Sequence, residues 1–226
     1  MPPQDPQPAL RSVSDPAALS AQKESICYGL RDCGLALEPS HWSLDELDLV
    51  QEAVREMQNL LGGAIALRRA IGGATVERLE HGGGGAYAWW IFPTWRRITF
   101  GEEVLHQDPV WRGKVAVVHE LAHIWDAQTA NWVQRATGSG GRIVHDMSAF
   151  VAAEPGPTCY GGLGAPECAF PRNPREEWAE SFAAFCYPPY IEWLRANLSS
   201  EKEAGLRPLH QQFVAMQIAS LRGQTS

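Results

Sequence analysis

The chain has 226 residues, 45% of them hydrophobic and 20% charged, and a formal net charge of −7. That length can bury one substantial core, and basic residues scattered through an acidic chain do not form the cationic stripe a nucleic-acid surface needs. No window approaches the roughly 18 uninterrupted apolar residues of a membrane span, and Met1-Pro2-Pro3-Gln4-Asp5 lacks the basic and apolar regions of an export signal. Neither nucleic acid nor membrane is expected as a partner. The expected location is intracellular by default, or outside the cell if the chain is a mature or excised domain.

In chain order, the proline-rich start reads as a flexible arm, with a short helix after Asp15-Pro16. The expected division is a flexible arm with that short helix over 1–40 and one catalytic domain over 41–226. Ser43-Leu44-Asp45-Glu46 is a capping box, and Leu47, Val50, Val54, Met57 and Leu61 continue as a helical stripe up to Gly62-Gly63. Strands follow at Thr75–Leu79, Ala86–Phe92 and Arg97–Phe100. Four glycines, Gly82 to Gly85, separate the first two; without a strand-to-helix context they are a loop and not a phosphate cradle. Trp89 and Trp90 belong either to the core or to an edge strand able to hold an extended peptide.

Asp108-Pro109 predicts a helix start, with Asp108 as its cap. Trp111, Val115, Val118, Ala122 and Trp125 make its packing stripe and leave His119, His123 and Asp126 on an adjoining face. His119-Glu120-Leu121-Ala122-His123 is an HExxH sequence. Residues four apart on a helix lie above one another, so both imidazoles can reach one ion, while Glu120 can reach a water on that ion without being a ligand. Asp126 can orient a ligand or neighbouring backbone, or stand as a solvated acid. A loose stretch at Thr137–Gly141, a short helix near Asp146–Ala153 and a glycine- and proline-rich loop from Glu154 to Pro174 complete this half. The five cysteines form no CxxC pair, which argues against a cysteine zinc knuckle. Cys27 with Cys33, and Cys159 with Cys168, are close enough for small-loop disulfides in an oxidising compartment.

A hydrolytic zinc site needs a third protein ligand and an open fourth position. The candidates lie in Asn173-Pro174-Arg175-Glu176-Glu177-Trp178-Ala179-Glu180-Ser181-Phe182, a helix beginning at Pro174. Glu176 and Glu180 share a face, so one can bind metal while the other hydrogen-bonds a ligand histidine. Glu177 points elsewhere.

These two segments, HELAHIWD and EEWAESFAAF, resemble the catalytic domain of anthrax lethal factor and its relatives, which include bacterial secreted proline-specific endopeptidases; the resemblance runs from about Thr75 to Leu221. It implies an α+β zincin-like fold with a small twisted sheet, an active-site helix and a C-terminal helical subdomain. It also implies zinc held by His119, His123 and Glu176, Glu120 as general base, and Glu180 and Asp126 behind the ligands, with Trp178 and Phe182 as the motif's aromatics. Tyr160 is the counterpart of the family's assisting tyrosine, although a longer stretch, Gly162 to Pro174, separates it from the glutamate; His145 is the other candidate oxyanion donor. The expected activity is zinc-dependent hydrolysis of peptide or protein substrates by a monomer. The alternatives are a zincin-fold binding or immunity module with a structural zinc closed by Cys159, Cys168 or Cys186, and a zinc hydrolase of non-peptide bonds.

Overall fold

The computed structural model describes residues 15–79, 86–92, 95–131, 134, 139–164, 168 and 171–223, with 87–92 and 95 described by backbone alone. The arm at 1–13, the Gly82–Gly85 run and the side chains of Trp89 and Trp90 lie outside the described residues. The protein is α+β and mostly helical.

Residues 15–37 carry a helix and a strand. Helix α1 (Pro16–Asp32) is 17 residues long, capped by the Asp15 side chain and the N1 proline, and it buries Ile26, Cys27 and Leu30. Strand β1 (Leu35–Leu37) then pairs in parallel with β2 (Ala74–Arg78). The helix starts at the expected Asp15-Pro16 but runs longer than the short one expected, since α1 spreads its few apolar residues among alanine, serine and charge; β1 had no signal, because three residues are too few for a strand period. Cys27 and Cys33 remain free thiols, so the pairing considered for them does not form.

Helix α2 (Leu44–Leu61) has the expected reciprocal cap between Ser43 and Glu46, and it ends on Gly62 at φ 97°, a left-handed position that suits glycine. Its five predicted stripe residues are all buried. After α3 (Ala64–Ile71), strands β2, β3 (Ala86–Phe92) and β4 (Trp95–Phe100) complete a sheet of order β1-β2-β4-β3, in which only β3 runs antiparallel to its neighbour. Leu35, Leu37, Ala74, Val76, Ile98 and Phe100 share the buried face. Arg97 and Glu77 pair at 3.2 Å with both side chains exposed. The helices therefore cover one side of the sheet.

After the short α4 (Glu102–Leu105), helix α5 (Trp111–Thr129) is the central rod, with buried residues around most of its circumference from Val117 to Ala127. Asp108 does not cap it; the peptide to Pro109 is cis, and the first turn is closed by bonds from Arg112 N–H to Pro109 O (2.9 Å) and from Gly113 N–H to Val110 O (3.1 Å). Lys114 ties α5 to α2 through Glu52 (2.7 Å) and Glu56 (3.0 Å). Helix α6 (Arg142–Phe150) begins four residues before the predicted Asp146, because a distant side chain, described below, anchors its N-terminus.

Helix α7 (Pro174–Cys186) starts where predicted, with Asn173 as cap and Pro174 at N1. It packs directly on α5: Trp178 Nε1 donates to Ala122 O at 2.9 Å, and Trp125, Trp178 and Phe182 form a buried aromatic triad with ring centres 5.5–5.6 Å apart. Helix α8 (Pro189–Asn197) attaches through a small separate cluster of Ala184, Ile191, Leu194 and Ala204, and α9 (Pro208–Gly223) closes the main core with Phe213, Val214 and Ile218. No helix among the described residues is long and apolar enough to cross a membrane.

Candidate metal centre

Successive turns of α5 carry His119 and His123, and the first turn of α7 brings Glu176 over them. The two Nε2 atoms lie 3.1 Å apart, and Glu176 Oε2 stands 3.1 Å from the first and 3.3 Å from the second. Three donor atoms converging this closely could hold a metal ion among them. Ligands about 2.0–2.1 Å from a tetrahedral zinc are separated from each other by about 3.4 Å, so the triangle suits such an ion with small adjustments. Among the described residues, this is the one group of His, Cys, Asp or Glu side chains arranged to hold a metal.

The ring of His119 is fixed from behind. Its Nδ1–H donates to Glu180 Oε1 at 3.2 Å, which fixes the ring and leaves Nε2 facing Glu176. Glu180 is held in turn by Tyr190 on α8, whose hydroxyl donates to Oε2 at 3.0 Å. Burial, reinforced by the negative charge of Glu180, pushes the Tyr190 hydroxyl pKa upward, so it remains a donor. Burial opposes a charge on His119, but the Glu176, Glu180 and Glu120 carboxylates outweigh it and hold that imidazole well above its ordinary pKa. His123 moves the other way, lowered by burial and by its neighbour's charge. Burial would raise Glu176, yet the two histidines bring it far below the usual carboxylate range.

Glu120 is buried on α5 and lines the cleft above the triangle. That cleft has a volume of about 540 Å³ and is also bordered by Ala86 at the start of β3, by Tyr160 and by Tyr190. Arg175, half-buried at the start of α7, places its charge near Glu176, Asp126 and Glu120.

Asp126 serves backbone and touches no ligand histidine in these bonds. Its carboxylate accepts from Gly141 N–H (2.6 Å) and Val144 N–H (2.9 Å), anchoring the first turn of α6 against the end of α5. Glu177, one residue from the ligand, is buried in a different network: Arg172 grips it with two bonds (2.9 and 2.6 Å), and His210 Nε2 meets it at 2.9 Å. The other nitrogen of His210 meets Glu154 at 3.1 Å.

Tyr160 is 48% exposed, and its ring centre lies 6.4 Å from that of His119. The loop that carries it is pinned at several points. Cys159 is disulfide-bonded to Cys168, its N–H donates to the buried Glu201 carboxylate (2.9 Å), and Gly161 N–H donates to Thr158 Oγ1 (2.9 Å). Gly161 packs against Glu180, since a Cβ at this position would lie 3.1 Å from the glutamate's own Cβ. These contacts set Tyr160 at the cleft. His145 is not there: its side chain is 80% exposed beside Asp146, on the outer face of α6, while Ile143, Val144 and Met147 take the inner face.

Sequence reasoning missed Tyr190, Arg175 and Glu201. Tyr190 offered no signal, because its partner Glu180 lies on a separate helix and a turn intervenes. With Cys159 and Cys168 joined to each other, neither thiol is available to close the metal triangle. Comparison with protein-family models, with curated proteins and with solved structures finds no match to this chain.

Proposed function

We propose that the chain is a zinc-dependent endopeptidase of zincin-like fold, with His119, His123 and Glu176 as ligands. The observation that carries this reading is the 3.1–3.3 Å triangle of two Nε2 atoms and one carboxylate oxygen beside a cleft that Glu120 also lines. Three ligands with a cleft beside them match a hydrolytic rather than a structural zinc, and the disulfide between Cys159 and Cys168 weighs against closure by either. The resemblance of HELAHIWD and EEWAESFAAF to the lethal-factor type of gluzincin supports the same assignment.

Zinc held there would polarise the scissile carbonyl and bring the pKa of a water toward neutrality. Glu120 takes a proton from the attacking water as its oxygen bonds to the carbonyl carbon, and passes that proton to the amine when the C–N bond breaks. Tyr160, on the rim of the cleft, donates to the carbonyl oxygen as it gains charge. Glu180 and Tyr190 keep the His119 ring in register. Strand β3 pairs on one side with β4 and opens near the cleft at Ala86, so an extended peptide is held there as an added strand.

The test is elemental analysis and cleavage of a random peptide library by wild type and Glu120→Gln, both supplied with zinc. One zinc per chain in both is expected, with cleavage reduced about 10²–10⁴-fold in the variant. Undiminished cleavage by E120Q, or no zinc in either protein, would overturn the reading.

A further inference from the structure

The face of α5 that carries the two histidines continues toward the helix start through Ala116 to Arg112, and all four residues line the cleft. Their spacing of four, three and four keeps them in one row. Arg112 is half-buried, and its guanidinium carbon sits 3.6 Å from the ring centre of Trp193 on α8. Stacking covers one face of the planar group and leaves its edge, where the five N–H donors lie, directed away from the ring. One donor reaches the backbone carbonyl of Asp108 at 3.2 Å. No carboxylate among the described residues forms an ion pair with Arg112; Asp108 acts on it through space and bonds it only through that carbonyl. Arg175, the cleft's other guanidinium, already faces three carboxylates.

We infer that Arg112 is a specificity residue that receives a carboxylate of the peptide substrate, held rigid by Trp193. The inference rests on the peptidase reading and adds a substrate class to it: peptides with an acidic side chain, or a chain-terminal carboxylate, at a fixed distance from the cleaved bond. Seven residues of helix at about 1.5 Å each separate Arg112 from His119 along the axis. An extended peptide advances about 3.3 Å per residue, so the carboxylate lies about three residues from the scissile carbonyl. A planar fork bound edge-on to a carboxylate gives two parallel bonds, which a glutamine side chain cannot match.

The test takes the sequence best cleaved in the random library and builds matched Glu and Gln peptides at each of four positions on either side of the bond, each as free acid and as C-terminal amide. Wild type should favour Glu over Gln in kcat/KM about ten- to hundredfold at one position about three residues from the bond. The ratio should fall below about threefold in Arg112→Gln, with an intermediate value for Arg112→Lys, and Arg112→Glu should prefer Lys at that position. Because each ratio is read within one protein, a general loss of activity cancels. A preference that follows the free terminus instead of the side chain identifies the carboxylate as the chain end and equally supports the site. A Glu-to-Gln ratio near one in wild type, or one unchanged in R112Q, would overturn it while leaving the peptidase reading intact. If wild type cleaves nothing, the peptidase reading falls, and binding decides the inference separately. Fluorescein-labelled decapeptides carrying one Glu or Gln among alanines would be titrated against zinc-loaded E120Q and E120Q/R112Q, and equal affinities throughout would sink it.

Discussion

His119 is gripped at both ring nitrogens, by Glu180 behind and by Glu176 in front, and Glu180 is gripped in turn by Tyr190. Each bond removes a freedom from the next group: the hydroxyl fixes the carboxylate, the carboxylate fixes the tautomer and tilt of the imidazole, and the imidazole presents a lone pair in one direction. Hydrogen bonds to ligand histidines of this kind contribute about 10–100-fold in metal affinity. Glu180→Gln keeps the shape but weakens the acceptor, so zinc affinity measured against a chromophoric chelator should fall by about that factor. Tyr190→Phe removes only the outer bond, one step further from the metal, and should cost less, about two- to tenfold. Equal losses in the two variants, or none in E180Q, would show that the His119 ring is held by packing alone.

At the scale of elements, the site is a crossing of α5 and α7, and the crossing is fastened beside the metal triangle as well as at it. Trp178 bonds the α5 backbone at Ala122, while Glu177 ties the outer side of α7 to Arg172 and to His210 on α9. Burial alone would raise the Glu177 pKa, but His210 and Arg172 outweigh it, so the carboxyl lies below the ordinary range in the folded protein. A depressed carboxylate contributes stability that is complete above its unfolded pKa of about 4.3 and is lost as pH falls through the lower folded value. Glu177→Gln should therefore destabilise the protein by about 1.5–3 kcal/mol at pH 7, because it weakens the charge-assisted bonds from Arg172, whose guanidinium keeps its access to water. In urea titrations the gap between wild type and variant should narrow below about pH 4. A gap that stays constant from pH 7 down to pH 3 would mean that the network's charge does not stabilise α7. Glu177 is consequently a poor inert control for Glu176, despite its place next to it in the chain.

For the whole molecule, what could be read in advance was what lies within one helix. The Ser43–Glu46 box, the HExxH spacing and the face shared by Glu176 and Glu180 all follow from a period of 3.6 residues, and each takes its expected place. What could not be read depends on partners brought together by the tertiary fold: β1 finding β2, Asp126 reaching the start of α6, Tyr190 reaching Glu180, and Glu201 reaching the Cys159 backbone. The proposed metal triangle draws on both: the helix period sets the histidine pair and the face of Glu176, and the tertiary fold brings the two helices together. A ligand that binds only the folded chain stabilises it by RT ln(1 + [L]/Kd), about 4 kcal/mol at a thousandfold excess over Kd. For a chain of this length each kcal/mol moves the melting temperature by about 2–4 °C, so saturating zinc should raise it by about 8–16 °C over protein treated with a chelator. The histidines must be neutral to bind, and in the metal-free protein the pKa of His119 is held well above ordinary. Zinc therefore competes with a proton, and the increment should shrink as pH falls from 8 to 6. Glu176→Ala should abolish most of the increment; its chelator-treated melting temperature should also fall, because the carboxylate that His119 and His123 hold far below the usual range is lost, so the increment is read within each protein. An equal zinc increment in that variant would place the stabilising metal somewhere other than the triangle.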